Sequence, residues 1–124
     1  MPDAAQMETS VQRYVDSYNR ADLAGVVGLF ADDATLEDPV GTPQKNGLDE
    51  ITEFFKAGID MGAKLTLDGP VRCVADHAAF AFHVTLDWEG QTTRIEVIDT
   101  FRFDGEGKVA EMRAFFGPEN MGPV

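Results

Sequence analysis

Two aspartates of this sequence lie in segments where apolar residues alternate. Their carboxyl groups are suited to the transfer of a proton next to a carbonyl group. The first lies in the segment TLEDPVG, residues 35–41. In an extended segment the side chains alternate between two faces, so Asp38 shares the apolar face with Leu36 and Val40. Glu37 then points to the opposite face. The alternative is that the strand has already ended and that both acids are solvated.

The second aspartate, Asp99, lies in the segment IEVIDTFRF, residues 95–103. Because burial of an unpaired carboxylate anion is very costly, an acid on an apolar face tends to stay protonated, and it can then donate a hydrogen bond. The alternatives are a bulge that turns Asp99 to solvent and an ion pair with an arginine. Alternation places Asp99 on one face with Ile95, Val97, Phe101 and Phe103.

Tyr14 is a third polar group among apolar residues, on the apolar stripe of the first predicted helix. A tyrosine so placed usually packs its ring and finds one partner for its hydroxyl. Together, however, the three groups could move a proton. Asp38 would take and return the proton, while Tyr14 and Asp99 would hold the oxygen on which charge accumulates.

The elements that must position these groups begin with three predicted helices in the first half of the chain. Asp3 and Gln6 form a capping-box pattern ahead of an amphipathic run. Asp22 is expected to cap a second helix over LAGVVGLF, with a short strand at ATLED after it. Asn46 is a candidate cap for the third helix. The apolar residues with helical spacing are Met7, Val11, Tyr14, Val15 and Tyr18 in the first helix and Leu48, Ile51, Phe55 and Ile59 in the third.

The second half of the chain predicts strands. AKLTLDGPVRCVAD is extended but interrupted by the pair GP, which indicates a bend or bulge. AFAFHVTLDW alternates clearly, and turns at EG and DGEG separate it from TTRIEVIDTFRF and KVAEMRAFF. His77 is expected in a turn. Helices on one face of a curved antiparallel sheet are the natural arrangement, which is an α+β fold, and we expect a single domain over residues 1–124.

Composition excludes several classes of function. Ten basic residues against 22 acidic ones give a formal net charge of −12, which disfavours nucleic acid and anionic membranes as partners. The N-terminus lacks a signal-peptide pattern, and no apolar run reaches the roughly 18 residues of a membrane span, so we expect a cytoplasmic protein. Cys73 is the single cysteine, and the two histidines, His77 and His83, lack metal-ligand spacing. The sequence therefore gives little support for a metal site.

Over almost its whole length the sequence resembles the bacterial ketosteroid isomerases, also called steroid delta-isomerases, of the NTF2-like or SnoaL-like superfamily. LFADDAT is shared widely across that superfamily, whereas the tyrosine of VQRYV and the aspartates of EDPVG and IDTFRF form a much more specific combination. The segments that carry the resemblance, in the family's order, are VQRYV, LFADDATLEDPVG, AAFAF, IDTFRF and GKVAEMRAFFG.

The resemblance implies a cone-like α+β fold, with three N-terminal helices packed on a curved mixed or antiparallel sheet, a deep apolar pocket and a homodimer. It also implies cofactor-free allylic isomerisation of a β,γ-unsaturated 3-oxo steroid. Asp38 is then the general base, and Tyr14 and a neutral Asp99 are the oxyanion donors. A protonated aspartic acid in the oxyanion hole is an established property of that family and not a deduction from this sequence.

A steroid needs an apolar lining, for which inward alternation and the family's pocket positions give the candidates. For most of these candidates ordinary core packing is the competing interpretation. Some family members support the oxyanion tyrosine with further tyrosines, and the matching positions here are Phe30 and Phe55. The candidate pocket residues are Phe54, Phe55, Phe82, Val84, Leu86, Val97, Phe101, Met112 and Phe116.

Two other functions fit the same class of fold. A site like that of limonene-epoxide hydrolase would need an Asp–Arg–Asp set in the pocket, but the arginines mostly alternate outward. A non-catalytic NTF2-like dimer that binds a hydrophobic ligand or a protein partner is the other alternative. The arginines in question are Arg72, Arg94, Arg102 and Arg113.

Overall fold

Three helices and eight strands make up the computed structural model, which describes residues 2–124. The helices are α1 (Ala4–Asn19), α2 (Leu23–Val27) and α3 (Gly47–Asp60), and a short 3-10 turn covers Pro118–Asn120. The strands are β1 (Phe30–Glu37), β2 (Lys45–Asn46), β3 (Lys64–Leu67), β4 (Arg72–Val74), β5 (His77–Trp88), β6 (Gln91–Phe103), β7 (Val109–Phe115) and β8 (Met121–Pro123).

The strands form one sheet in the order β2-β1-β7-β6-β5-β3, with β4 paired to β5 and β8 paired to β6. β1 and β7 pair in parallel, and the other strand pairs are antiparallel. The sheet is therefore mixed, because β7 lies beside β1 and runs in the same direction as β1. α1 contacts β3, β4 and β5, α3 contacts β1, and α2 contacts both other helices. This arrangement fits an α+β cone.

The predicted caps of the first two helices are confirmed. The backbone N–H of Gln6 donates to Asp3 Oδ1 and that of Asp3 donates to Gln6 Oε1, both at 2.8 Å. The backbone N–H of Gly25 donates to Asp22 at 2.9 Å. Asn46 precedes α3 without a capping hydrogen bond from its side chain. α2 is shorter than predicted, because Phe30 already pairs with β7 in the sheet.

Two details of the strands differ from the sequence prediction. The segment AKLTLDGPVRCVAD forms two strands, β3 and β4, which pair with different parts of β5 on either side of the glycine-proline break. His77 does not lie in a turn but begins β5 opposite Arg102. The turn comes earlier, where Ala75 has a φ of 53°.

The alternation predicted along β6 is confirmed. Val97, Asp99 and Phe101 are buried, whereas Glu96 and Ile98, which alternate with them onto the opposite face, are exposed. The β5–β6 pairing runs without interruption from His77 to Trp88, so the alternative of a bulge at Asp99 is wrong. Alternation along β5 places Trp88 on the same face as Phe80 and Phe82. Trp88 is nevertheless 54% exposed, because it forms the last pair before the hairpin turn.

Within residues 2–124 no helix is both long enough and apolar enough to cross a membrane.

Candidate active site

A cavity of about 270 Å³ lies between α1, α3 and the inner side of β5 and β6. Its polar residues are Tyr14, Tyr18 and Asp38. A larger depression of about 870 Å³ contains none of these three residues and is bordered by acidic surface residues. The smaller cavity is therefore the candidate site because of the residues that line it and not because of its size. The remaining lining residues are Phe54, Phe55, Ala57, Gly58, Met61, Leu65, Phe82, Val84, Ile95, Val97 and Phe116.

Tyr14 enters the cavity from α1 and is held by aromatic rings. It is 3% exposed, and its ring packs edge-on to Phe55 at 5.8 Å and to Phe101 at 5.3 Å between centroids. Burial raises the pKa of Tyr14 well above its usual value, and Asp99 and Asp38 raise it further wherever they are ionised. The phenol is therefore neutral at physiological pH and can donate a hydrogen bond.

Asp38 lies one residue beyond the end of β1, and it lines the cavity nevertheless. The strand has thus ended where the alternative interpretation expected, but Asp38 is partly buried. The predicted common face does not extend to Val40, which is 37% exposed because the chain turns away through a hydrogen bond from Thr42 N to Pro39 O at 3.1 Å. Burial raises the pKa of Asp38 to about 7. At neutral pH a large share of this group is ionised, and it is more basic than an exposed carboxylate.

Asp99 is fully buried at the centre of β6, opposite Phe80 of β5 and Ala114 of β7. Its two carboxyl oxygens are the only buried side-chain polar atoms in residues 2–124 without a hydrogen-bond partner. Burial raises its pKa well above the usual value, and the negative charge of Asp38 adds to this effect. Asp99 is therefore held as a neutral acid, a hydrogen-bond donor that no group of the described chain uses. The ion pair with an arginine, offered as an alternative, does not form.

The three groups act on one another, although Asp99 is not among the residues that line the cavity. The charge of Asp38 raises the pKa of both Tyr14 and Asp99, and ionisation of Asp99 would raise the pKa of Tyr14 further. Phe101 follows Asp99 by two residues on the same face and contacts the Tyr14 ring. Tyr14 and Asp99 are thus neighbours on the inner side of the sheet. Asp38 is close enough for its charge to affect the pKa values of both.

The candidate lining residues divide into two groups. Leu86, Phe101 and Met112 lie outside the lining. Phe101 and Met112 are in the core, where Phe101 packs on Phe80 at 5.1 Å and Met112 pairs with Leu36 of β1. Leu86 lies nearer the β5–β6 hairpin and is half-buried. The six that line the cavity are Phe54, Phe55, Phe82, Val84, Val97 and Phe116.

Sequence reasoning did not select Tyr18 as a site residue, although the signal was present. Tyr18 follows Tyr14 by four residues on the same helical stripe, so both side chains point towards the same neighbours. Gly58 gave no signal, since its closeness to Tyr18 depends on how α1 and α3 pack. Ala57, Met61, Leu65 and Ile95 were also not selected.

No group of three or more histidine, cysteine, aspartate or glutamate side chains that could hold a metal ion occurs among residues 2–124.

Comparison with known proteins agrees with this architecture. Residues 11–112 match the SnoaL-like domain. A steroid delta-isomerase from Nocardioides simplex is 42% identical over 119 residues, which cover 95% of each chain. A solved structure of SalBIII, described as an epoxide hydrolase/cyclase-like enzyme in pyran ring formation in polyether salinomycin, superposes over the full length of both chains with a TM-score of 0.94 and 25% identity.

The chain therefore belongs to the SnoaL-like family. Its identity to the steroid delta-isomerase extends over nearly all of both sequences, and within the family it is a ketosteroid-isomerase-like protein.

Proposed function

We propose that this protein is a steroid delta-isomerase, which converts a β,γ-unsaturated 3-oxo steroid into the conjugated enone without a cofactor. The observation that carries the proposal is the pair of neutral donors, Tyr14 and Asp99, beside a cavity that also holds the basic carboxylate of Asp38. The similarity to a steroid delta-isomerase supports the class of substrate.

Asp38 acts as the general base in this proposal. Its carboxylate takes a proton from the carbon between the alkene and the carbonyl group, which produces a dienolate. The same proton then returns from Asp38 to the far end of the conjugated system, so the enzyme ends in its starting state. A pKa of about 7 suits both steps, because the group is ionised enough to accept the proton and acidic enough to release it.

Tyr14 and Asp99 hold the dienolate oxygen. Both are neutral because burial raises their pKa values, and each can therefore donate a hydrogen bond to an oxygen that becomes negative. One such donor typically contributes about 10²–10³-fold in rate.

The apolar wall of the cavity favours a steroid and excludes water from the dienolate. We assign this role to Phe54, Phe55, Phe82, Val84, Val97 and Phe116. At the positions where some family members carry supporting tyrosines, the rings of Phe30 and Phe55 pack on each other at 5.4 Å. These two positions therefore supply no phenol to Tyr14, which makes its aromatic packing the main constraint on its position.

The test follows the ultraviolet absorbance of the conjugated enone after addition of a β,γ-unsaturated 3-oxo steroid. The parent protein should produce this band, and Asp38→Asn should lower kcat by about 10²–10⁴-fold, the usual contribution of a general base. Glu37→Gln is the matched control, since Glu37 is the adjacent carboxylate, does not line the cavity and pairs with Arg113 at 3.4 Å. Near-parental turnover by Asp38→Asn contradicts the assignment.

Opening of an epoxide is the second candidate function, because the fold is so similar to that of SalBIII. The site that we considered for this chemistry requires an arginine between two aspartates. Among residues 2–124, no arginine lines the cavity, which favours the isomerase. Consumption of an epoxide substrate without formation of the enone would reverse this preference. Tight binding of a steroid without either reaction would indicate a binding protein.

A homodimer formed through the sheet is part of the proposal. Ile98 and Phe115 pair with each other across β6 and β7 and are 51% and 42% exposed, so they form an apolar patch on the outer face of the sheet. Burial of such a patch between two copies would stabilise a dimer. Analytical ultracentrifugation of the parent and of Ile98→Arg should show a dimer and a monomer respectively.

A further inference from the structure

Tyr18 is a third polar group of the cavity, and the proposed reaction does not use it. Its side chain projects from α1 one turn after Tyr14, and the two rings are 6.2 Å apart. Tyr18 is only 8% exposed, and within residues 2–124 its hydroxyl has no hydrogen-bond partner. Because Tyr18 lines the cavity, this hydroxyl is available to bond an oxygen of a ligand that fills the cavity.

Gly58 makes room for the hydroxyl of Tyr18. A Cβ at position 58 would overlap the Tyr18 hydroxyl oxygen, and its next nearest neighbour would be Tyr18 Cζ at 3.4 Å. Gly58 lies inside α3 and its φ is not in the left-handed region, so the backbone does not require glycine there. Because glycine weakens a helix interior, its presence here is explained by the close approach of the phenol.

The Tyr18 hydroxyl keeps its proton under physiological conditions. Burial and the negative charge of Asp38 raise the pKa of Tyr18 to about 12. The group can therefore both donate to a ligand oxygen and accept from a ligand hydroxyl. A site that has a buried hydrogen-bonding group discriminates against ligands that leave this group unpaired.

We propose that Tyr18 is a specificity-determining residue, whose hydroxyl hydrogen-bonds a second oxygen on the ligand, so that the cavity prefers a 3-oxo steroid with this oxygen. The inference rests on the proposed function, because it assumes that the 3-oxo group of the steroid is hydrogen-bonded to Tyr14. Since the two tyrosines lie one helical turn apart and their ring centroids are 6.2 Å apart, we expect the second oxygen on the ring that carries the ketone or on the ring fused to it, and not at the distal end of the steroid.

The test compares Kd values of conjugated 3-oxo steroids, which bind without turnover, by titration calorimetry. The reference probe has no second oxygen, the near probes carry one hydroxyl or keto group on the first or second ring, and the far probe carries it on the last ring. The parent should bind at least one near probe about 3- to 10-fold more tightly than the reference, as expected for one hydrogen bond. In Tyr18→Phe this ratio should fall to about 1, while the ratio for the far probe stays as in the parent.

A structural role for Tyr18 gives a different result, because loss of the hydroxyl would then weaken all probes alike and leave both ratios unchanged. That outcome, or a parent that prefers no near probe, overturns the inference. Gly58→Ala is the second variant, since its methyl group displaces the hydroxyl while the phenol remains, and it should also abolish the near-probe ratio. A parent that binds no steroid overturns the proposed function together with this inference, whereas steroid binding without a near-probe preference overturns the inference alone.

Discussion

Replacement of Asp99 by asparagine should make the protein more stable at neutral pH, which is the opposite of what loss of a typical aspartate does. Asp99 is fully buried with no partner for either oxygen, and burial and the charge of Asp38 raise its pKa. The folded state therefore keeps a proton on Asp99 that the unfolded state releases above about pH 4. Because the folded state binds more protons, the free energy of unfolding falls as the pH rises.

The size of this effect follows from the number of protons involved. One proton bound by the folded state alone removes about 1.4 kcal/mol of stability per pH unit, from about pH 4 upward for as long as Asp99 stays protonated. Asparagine has nearly the same shape but does not ionise, so it adds no pH dependence to the free energy of unfolding. The advantage of Asp99→Asn over the parent should thus be small near pH 4 and grow with pH for as long as Asp99 stays protonated.

Urea denaturation of the parent and of Asp99→Asn at pH 4.5, 6 and 7.5 measures this difference. Asp33→Asn is the matched control, because Asp33 is an exposed aspartate of the same sheet, and it should differ from the parent by less than about 0.5 kcal/mol at each pH. A constant difference between parent and Asp99→Asn across the three pH values would refute the conclusion that Asp99 is held neutral.

Four other outcomes are expected. The kcat/KM of the parent should rise about tenfold per pH unit below pH 7 and level off above it, because Asp38 ionises with its raised pKa of about 7. A flat profile from about pH 5 to 8 would contradict the role of Asp38 as the base. Tyr14→Phe should keep the fold, seen by circular dichroism, and lower kcat by about 10²–10³-fold; a smaller loss argues against an oxyanion donor. Gly58→Ala should destabilise the parent by about 1–3 kcal/mol but stabilise Tyr18→Phe by up to about 1 kcal/mol. Urea curves that move in the same direction in both backgrounds would disprove the close contact between position 58 and the Tyr18 hydroxyl. Asp3→Ala should lower the urea midpoint by an amount equal to about 1 kcal/mol, because it removes the cap of α1, and it should leave the enone assay unaffected.

Local stereochemistry explains which features could be predicted from the sequence. Alternation along a strand is a property of the extended backbone, so it predicted the burial of Asp99 between Val97 and Phe101, and the structure confirms this burial. The cap at Asp3 was predictable for the same reason, since its partner is only three residues away. Such patterns depend on neighbours in the chain and need no knowledge of the tertiary structure.

The same local rule was wrong where the chain leaves a regular element. Val40 was predicted to share a face with Asp38, but the strand ends at Glu37 and Val40 points outward. Phe101 and Met112 have the inward alternation of pocket residues, and both lie in the core. Alternation says which side of the sheet a residue occupies, but the packing of the helices decides which part of that side stays open.

The sequence by itself therefore determined the class of fold, the inward direction of Tyr14 and Asp99, and the family to which the chain is related. Only the tertiary structure decided that β1 joins β7 in parallel, that Asp38 lines the cavity from beyond the end of its strand, and that Gly58 admits the hydroxyl of Tyr18. The physical reason is that side-chain direction is set within a few residues of the chain, whereas the distance between residues on separate elements is set by how those elements pack.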